Sequence, residues 1–146
     1  MEINIKKLYE DAIAPTRGSI EAAGYDLYAY LDSDKISIKP GETKMIGTGI
    51  ALELPGGYFA AIYARSGIAS KRNLRPANCV GVIDSDYRGE IKVPLYNDSD
   101  TTQELENKER VVQMVIMPYL NVTFNEVDSL SESTRNQDGF GSTGTK

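Results

Sequence analysis

The residues best suited to chemistry lie in one short stretch of this sequence, Asp84-Ser85-Asp86-Tyr87-Arg88. The stretch offers two carboxylates, a phenol and a guanidinium, which together could position a water molecule and hold an anionic ligand. Asp, Ser and Gly are also ordinary turn residues, so a plain turn without a chemical role is the alternative. The apolar segment 79–83 before the stretch and the alternating segment 90–96 after it predict a β-hairpin that carries these side chains at its tip.

Further polar residues stand within or after apolar segments. Arg65-Ser66-Gly67 follows an aromatic-rich segment, and could hold an anion through its guanidinium, its hydroxyl and exposed N–H groups. Asp26 lies within the apolar segment 22–29, and Gln113 lies within the apolar run 111–117. For both, hydrogen bonding to the backbone is the simpler alternative to a role in a site. A buried polar group without a partner costs about 1–3 kcal/mol, so each of the two must find one.

Composition narrows the possible chemistry. Histidine is absent from the 146 residues, which excludes Ser-His-Asp and Cys-His catalysis and His-rich zinc sites. Oxygen ligands remain, so a hard cation such as Mg²⁺ is the expected metal. The net charge of −5 argues against non-specific binding to nucleic acid or to a membrane. A polyanionic ligand would therefore need local arginines or a metal ion.

The single cysteine and the hydropathy pattern indicate a compartment. Cys79 cannot form an internal disulfide, which favours a reducing cytoplasm, and its apolar neighbours predict a small buried side chain rather than a nucleophile. Neither a signal-peptide pattern nor an apolar run of membrane-spanning length is present. A soluble cytoplasmic protein is therefore expected.

Short apolar segments separated by Pro- and Gly-containing turns predict an all-β domain, a sandwich or a barrel. One or two helical turns, the only helix expected, are predicted around residues 68–74. The polar, Ser- and Gly-rich end of the chain predicts a flexible arm, which divides the sequence into a domain at 1–127 and an arm at 128–146. Strands are predicted at 3–5, 22–29, 35–39, 50–54, 58–64, 111–117 and 121–127.

The arm contains Gly139-Phe140-Gly141-Ser142-Thr143-Gly144, which matches the dinucleotide-binding fingerprint G-x-G-x-x-G. A Rossmann motif is excluded, because no strand precedes it and there is no room for the helix that must follow. What remains is a set of N–H groups, two hydroxyls, one aromatic ring and the upstream Arg135, which could wrap phosphates and stack on a base. A disordered terminus is the alternative.

Five stretches, taken in order, resemble the trimeric dUTP diphosphatases (dUTPases), and those around Asp84 and Phe140 are the most specific. They are Ala23-Gly24-Tyr25-Asp26-Leu27, Arg65-Ser66-Gly67, Asn78 with 81–89, Arg110-Val111-Val112-Gln113, and Arg135 with 139–144. The resemblance implies a β jelly-roll subunit and a homotrimer with its active sites at subunit contacts. It also implies hydrolysis of dUTP to dUMP and pyrophosphate with Mg²⁺, which keeps uracil out of DNA and supplies dUMP for thymidylate synthesis.

The resemblance assigns the nucleoside and the reaction to the central stretch. Asp84 would orient and activate the water that attacks the α-phosphorus. Tyr87 would pack on the deoxyribose and leave no room for a ribose 2′-hydroxyl. Lys92 would lie nearby. The uracil edge would be read by Asn78 and by the backbone of Gly81, Val82 and Ile83.

The resemblance assigns the triphosphate to the other stretches. Gln113 would lie beside the phosphate or the water, and Asp26 would face Mg²⁺ through water. The phosphates would be held by Arg65, Ser66 and Gly67. The arm would close over the ligand. Phe140 would stack on uracil, and the γ-phosphate would be contacted by Arg135, Gly141, Ser142 and Thr143. The site that the arm covers would be that of a neighbouring subunit.

Two other functions stay open beside this one. A dCTP deaminase shares the fold but needs a second serine after Arg65-Ser66, where Gly67 stands. A dUTPase-like regulator that binds a partner protein would be an added role, because the chemical residues are all present. The sequence also departs from many relatives: Asp138 stands in place of glycine in the arm, and Asn73 takes a position often held by glycine, where its tolerance of positive φ would matter.

Overall fold

The computed structural model describes residues 1–137, and within them lie twelve β-strands and one short helix. The helix, α1, spans Ser66–Arg72. The strands are β1 (Asn4–Lys7), β2 (Thr16–Arg17), β3 (Tyr25–Tyr28), β4 (Lys35–Ile38), β5 (Thr43–Gly47), β6 (Ile50–Glu53), β7 (Tyr58–Ala64), β8 (Leu74–Pro76), β9 (Gly81–Ile83), β10 (Lys92–Asn97), β11 (Gln103–Glu106) and β12 (Arg110–Pro118). The predicted all-β class is confirmed.

The strands form four antiparallel sheets around one apolar core. A five-stranded sheet has the order β2-β3-β12-β7-β9, and a three-stranded sheet has the order β5-β10-β8. Two strand pairs, β1-β6 and β11-β4, complete the arrangement. Many neighbours in these sheets are far apart in sequence, so the chain crosses repeatedly between the sheets, as expected of the predicted jelly roll.

Period-two alternation places side chains on either side of each sheet. In β10, Val93 and Leu95 face the core, and Asn97 follows them in the same register. Asn97 is fully buried, and its amide donates hydrogen bonds to the carbonyl oxygens of Ile38 and Thr101. The buried amide therefore joins β10 to β4 and to the loop after β10.

A bulge in β12 explains why two consecutive valines, Val111 and Val112, are both buried. The pairing of β12 with β3 shifts register between Arg110 and Val112, so one extra residue is accommodated there. Beyond the bulge, Met114 faces the core while Gln113 points to the opposite face of the sheet. The bulge thus takes Gln113 out of the apolar core.

The predicted helix is confirmed as α1, which follows β7 after the single residue Arg65. It ends at Asn73, which adopts a left-handed conformation with φ of 51° and donates its N–H to the carbonyl oxygen of Ile68. Asn tolerates this region better than most residues, and here it replaces the glycine that commonly ends a helix.

The predicted hairpin around Asp84 is wrong. Strand β9 pairs with β7 in the five-stranded sheet, whereas β10 pairs with β5 and β8 in the other sheet. Segment 84–91 therefore crosses from one sheet to the other instead of turning back on its own strand. Local turn residues predict where a chain reverses, but long-range pairing and core burial decide which strands become neighbours.

The predicted burial of Cys79 is also wrong. Cys79 is exposed and has a positive φ of 61°, within a tight turn where its N–H donates to the carbonyl oxygen of Pro76. The next apolar residues, Val80 and Val82, are exposed too, and 58% of Val82 is accessible. The reason is position: Cys79 and Val80 lie in the turn before β9, and Val82 lies on the exposed face of that strand.

The predicted strand at 121–127 is wrong as well, because β12, which ends at Pro118, is the last strand within residues 1–137. Segment 119–137 lacks helix and strand and exposes a series of apolar side chains, with 92% of Phe124 accessible. The alternating pattern at 121–127 is typical of a strand with one buried face, but all of these residues are exposed in the single chain. In the part of the chain that the structure describes, no helix has the length and hydropathy needed to cross a membrane.

Candidate active site

Two cavities contain most of the predicted site residues of the domain, whereas Gly67 and Gly81 lie beside them without lining either. The Asp84 cavity has a volume of about 400 Å³ and is lined by Met45, Asn78, Val82, Ile83, Asp84, Tyr87, Glu90, Lys92 and Pro94. The Arg65 cavity has a volume of about 500 Å³ and is lined by Gly18, Ala22, Ala23, Gly24, Asp26, Tyr63, Arg65, Ser66, Arg110, Gln113 and Val115.

A compact turn presents Asp84. The N–H of Tyr87 donates to the carbonyl oxygen of Asp84 at 3.2 Å. The Nη1 atom of Arg88 donates to the carbonyl oxygens of Ser85, at 2.7 Å, and of Tyr87, at 3.0 Å. Arg88 thus fixes the backbone of the turn, and the Asp84 side chain is exposed at the cavity.

The ring of Tyr87 is fixed beside this turn. Its hydroxyl donates to the carbonyl oxygen of Glu90 at 3.0 Å. A Cβ atom at Gly89 would overlap the Tyr87 hydroxyl and ring, so only glycine permits this close approach. Since about half of the Tyr87 surface remains exposed, the ring offers a fixed aromatic wall to a ligand.

Strand β9 supplies the opposite wall. It is the last strand of its sheet in residues 1–137, so its outer edge carries backbone groups without a strand partner. A Cβ atom at Gly81 would lie 3.3 Å from Nδ2 of Asn78, so the amide rests against a residue that has no side chain. An amide and free main-chain groups are suited to the edge of a planar base.

Glu90 belongs to the Asp84 cavity but was missed by the sequence analysis. Its Oε1 accepts a hydrogen bond of 2.9 Å from the N–H of Gly49, and its Oε2 lies 3.5 Å from Nζ of Lys92. Only 15% of its side chain is exposed. The available signal was that Glu90 and Lys92 are two residues apart on an extended segment, which places opposite charges on one face.

Three neighbouring strands build the floor of the Arg65 cavity. Gln113 on β12 pairs with Asp26 on β3 and with Tyr63 on β7, so the three side chains stand in one row across the sheet. Asp26 Oδ1 accepts from Nε of Arg65 at 2.7 Å, and Oδ2 accepts from Nη1 of Arg110 at 3.2 Å. Arg110 begins the fourth of the five stretches but was assigned no role from sequence, and its contact with Asp26 places it in this cavity.

The electrostatics of this cluster favour an anion. Two guanidinium groups share a single carboxylate that is 13% exposed, which leaves one positive charge uncompensated within the group. Guanidinium groups bind phosphate oxygens through paired N–H donors. Ser66, on the wall of the cavity, and Gly67 open the first turn of α1, whose leading N–H groups lack acceptors within the helix.

Gln113 both hydrogen-bonds to the backbone and reaches the cavity, the two alternatives that its sequence position left open. Its Nε2 donates to the carbonyl oxygen of Ala64 at 2.8 Å, and its side chain also lines the cavity. A Cβ atom at Gly24 would lie 2.7 Å from Oε1 of Gln113. Gly24 therefore leaves the space that the amide occupies.

The two cavities stand at opposite ends of β7. Ile83 pairs with Ala60, which places Asp84 beside Phe59, whereas Arg65 follows the last residue of the strand, Ala64. Six residues of extended strand separate these points by about 20 Å. A single chain therefore does not bring Asp84 and Arg65 together.

Arg135 lies in the exposed segment 119–137. The remaining residues predicted for the arm, Phe140, Gly141, Ser142 and Thr143, lie outside the described residues, as does Asp138.

Comparison with known proteins identifies the family. The family model named dUTPase matches residues 10–144. The chain belongs to the dUTPase family. The deoxyuridine 5′-triphosphate nucleotidohydrolase of Nautilia profundicola is 47% identical to it over 144 residues, covering 99% of each chain. The enzyme of the same name from Escherichia phage T5 is 46% identical over 149 residues, again covering 99% of each chain.

Solved structures agree with the fold of this dUTPase family member. The dUTPase of Staphylococcus bacteriophage 80alpha with dUPNHPP has a TM-score of 0.89 and 27% identity, and the match covers 99% of each chain. That protein is described as controlling the transfer of virulence genes by a proto-oncogenic G protein-like mechanism. The predicted family, the all-β jelly-roll class and the enzyme class, a dUTP diphosphatase, are thereby confirmed.

Proposed function

We propose that this chain hydrolyses dUTP to dUMP and pyrophosphate, with Asp84 activating the attacking water. The observation that carries the proposal is that this dUTPase family member has two complementary half-sites. One cavity has a carboxylate and an aromatic wall, and the other has a cluster of arginines. The first suits a nucleoside and a water, and the second suits phosphates.

In this mechanism, Asp84 acts on a water aligned with the α-phosphorus. Its carboxylate accepts a proton as the water oxygen forms a bond to phosphorus. The bond from phosphorus to the bridging oxygen breaks at the same time, and pyrophosphate leaves with the bond's electron pair. Positioning and charge stabilisation dominate such reactions, so the fixed turn around Asp84 matters as much as its charge.

Substrate selection is assigned to the walls of the Asp84 cavity. The ring of Tyr87, held against Gly89, would pack on the deoxyribose and exclude a 2′-hydroxyl. Asn78 and the free edge of β9 would pair with uracil and leave the amino group of cytosine badly paired. A site with such fixed polar groups discriminates strongly against a mismatched base, because the mismatch leaves buried groups unpaired.

The Arg65 cavity would hold the phosphates. Arg65, Ser66 and Gly67 would donate to phosphate oxygens, with Gln113 beside them. Arg110 shares Asp26 with Arg65, so it would add to the positive field. The charge of the triphosphate would compete with Asp26 for these donors.

Mg²⁺ fits this donor set as an ion that arrives with the substrate. No group of three or more Asp, Glu, Cys or His side chains within residues 1–137 could form a cage for a metal ion. Mg²⁺ is commonly held by substrate phosphates, water and one or two carboxylates, and Asp26 is the carboxylate available beside the phosphate donors. When bound, the ion would neutralise phosphate charge.

A homotrimer would complete the site. The separation of about 20 Å between Asp84 and Arg65 within one chain supports an active site formed where two copies meet. The apolar side chains exposed along 119–130, including Leu120 and Phe124, support burial against another copy. The arm at 128–146, with Arg135 and Phe140, would close over a neighbour's site.

We place the protein in the cytoplasm.

A regulatory, protein-binding role is a second candidate, supported by the similarity to the phage 80alpha dUTPase. It would add to the hydrolase activity, since the residues for catalysis are all present. A dCTP deaminase activity is not favoured, because Gly67 occupies the position where that enzyme needs a serine.

A direct assay tests the proposal. Purified protein is incubated with dUTP, UTP or dCTP, with Mg²⁺ or with a chelator, and both pyrophosphate and ammonia are measured. We expect pyrophosphate from dUTP, far less from UTP, and a loss of activity with chelator. Ammonia from dCTP would favour the deaminase. If no nucleotide is turned over, the regulatory, protein-binding role would be favoured over the hydrolase activity.

A further inference from the structure

The turn between β5 and β6, Gly47-Thr48-Gly49, clamps the segment that follows Tyr87. Gly49 N–H donates to Glu90 Oε1 at 2.9 Å, and Thr48 Oγ1 donates to the carbonyl oxygen of Ile91 at 2.8 Å. The N–H of Ile91 donates to the carbonyl oxygen of Ile50, also at 2.8 Å. Side chain and backbone of segment 90–91 are therefore both tied to one turn.

The clamp is built around the carboxylate of Glu90. A Cβ atom at Gly47 would lie 2.6 Å from Oε1 of Glu90, so the turn leaves space for this oxygen only because residue 47 is glycine. Gly49 has a positive φ of 66°, which aims its N–H at the same oxygen while suiting glycine. Thr48 and Ile91 are fully buried. A carboxylate in such surroundings is tolerated because it is hydrogen-bonded.

Glu90, the residue held by this turn, also accepts a hydrogen bond from the Tyr87 hydroxyl. Tyr87 donates to the main-chain carbonyl oxygen of Glu90 at 3.0 Å, so a shift of Glu90 moves the acceptor that fixes the ring. On the other side, Glu90 Oε2 lies 3.5 Å from Nζ of Lys92. All three residues line the Asp84 cavity.

We propose that Glu90 is a positioning residue for sugar discrimination: anchored by the turn 47–49, it holds the ring of Tyr87 where a ribose 2′-hydroxyl would clash. The inference rests on the proposed function, in which Tyr87 packs on the deoxyribose. Glu90 does not touch the reacting atoms. It acts through the position of the Tyr87 hydroxyl, and a displacement of about 1 Å is enough to change discrimination substantially.

The test compares Glu90→Ala with Glu90→Gln. The ratio of kcat/KM for dUTP to kcat/KM for UTP is measured with Mg²⁺ for the full-length protein. Glu90→Ala is expected to lower the ratio about tenfold, the effect of losing roughly one good hydrogen bond. Glu90→Gln is expected to keep it within about twofold, because the amide oxygen still accepts from Gly49. Equal ratios for wild type and Glu90→Ala would overturn the inference.

Glu42→Ala is the matched control. Glu42 also accepts a hydrogen bond from a backbone N–H, that of Lys39, at 2.7 Å, but it lies outside the Asp84 cavity. Its loss should leave the ratio unchanged. An equal fall in the ratio for Glu42→Ala and Glu90→Ala would mean a general effect of destabilisation and would overturn the inference. If Glu90→Ala does not fold, Thr48→Val, which removes the bond to Ile91, is expected to lower the ratio about threefold, and an unchanged ratio counts against the clamp.

A double-mutant cycle separates this inference from the proposed function. Tyr87→Phe removes the hydroxyl but keeps the ring, and its effect on the ratio should overlap with that of Glu90→Ala. Full additivity would show that Glu90 does not act through Tyr87. Tyr87→Ala tests the underlying role: an unchanged ratio there removes Tyr87 from sugar discrimination, and the inference falls with it. A lowered ratio for Tyr87→Ala with none for Glu90→Ala overturns the inference alone.

Discussion

Asp26 Oδ1 accepts a hydrogen bond of 2.7 Å from Nε of Arg65, and this contact joins β3 to the residue that links β7 with α1. The second oxygen of the same carboxylate accepts from Arg110, at the start of β12. One carboxylate thus orients two guanidinium groups from two different strand ends. The proposed phosphate site is therefore a product of sheet pairing rather than of any one motif.

Asp26→Asn should lower the free energy of unfolding by about 1–3 kcal/mol, because two charged hydrogen bonds in a half-buried setting are weakened. Chemical denaturation measures the change. Asp98→Asn is the control: its pair with Arg75 spans 3.3 Å at an exposed site, where such pairs contribute about 0–1 kcal/mol. The proposed role beside Mg²⁺ adds a second result, a higher Mg²⁺ concentration for half-maximal activity. An unchanged Mg²⁺ requirement would leave Asp26 only its role in orienting arginines.

Asp84→Asn should retain the fold and the binding of a non-hydrolysable dUTP analogue while turnover falls by about a thousandfold or more, since the amide cannot accept the proton of water. Single-turnover kinetics and calorimetry measure the two quantities separately. Asp86→Asn is the matched control, because Asp86 is an exposed carboxylate in the same turn that does not line the cavity. Near-normal turnover of Asp84→Asn would remove this residue from its proposed role.

Gly24→Ala should reduce kcat/KM for dUTP by about tenfold to a hundredfold, because the added methyl group would displace the Gln113 amide from beside the proposed phosphate-binding residues. Gly18→Ala provides the control in the same cavity, since a Cβ atom there meets nothing within 4 Å. Steady-state kinetics on both variants make the comparison. Equal activity of the two would show that the Gln113 position does not matter.

Sequence reasoning identified site residues whose side-chain chemistry is distinctive. It did not predict contacts between residues that are far apart in the chain. Asp84, Tyr87 and Asn78 line one cavity because they lie close together along the chain. Glu90 was missed, and Arg110 was quoted without a role, because charged residues beside turns are usually solvated. Their partners, Asp26 and Gly49, are reached only through strand pairing and through the turn between β5 and β6.

The same limit explains the errors in the fold. Alternation and turn residues located α1 and most strands, since these depend on neighbours in sequence. The segment on either side of Asp84 has the pattern of a hairpin, yet β9 and β10 belong to different sheets. The pattern at 121–127 has no partner strand within residues 1–137. In both cases the sequence pattern indicates an extended segment with one buried face. It does not identify the part of the protein that covers that face.

A cluster around Asp11 gives a prediction for pH dependence. Hydrogen bonds from Lys108, and then from the Tyr30 hydroxyl, lower the pKa of Asp11 from its ordinary value of 3.8. A lowered carboxyl pKa in the folded state stabilises the protein well above 3.8, and this contribution is lost as pH falls through the lowered pKa. Asp11→Asn should therefore lower Tm at neutral pH, and the difference from wild type should shrink as acidity rises. A difference in Tm that stays constant as acidity rises would contradict this prediction.

Removal of residues 138–146 should leave the proposed trimer intact and reduce kcat/KM for dUTP by about a hundredfold, because the arm is proposed to exclude water and to complete the charge contacts. Light scattering and steady-state kinetics measure the two results. A truncation that is fully active would contradict the arm's role, and one that dissociates would show that the arm holds the copies together. Full-length Phe140→Ala should show an intermediate loss if the ring stacks on uracil.

Mixed assemblies decide whose site the arm covers. Segment 119–137 can span about 60 Å when extended, enough to reach a neighbouring copy. Truncated subunits still supply Asp84, and full-length Asp84→Asn subunits still supply an arm. Each alone should be strongly impaired, whereas co-expressed mixtures should recover part of the wild-type turnover if arms cross between chains. Mixtures as inactive as their parents would place each arm over its own subunit's Asp84. In that case, the exposed apolar side chains of 119–130 would need another explanation.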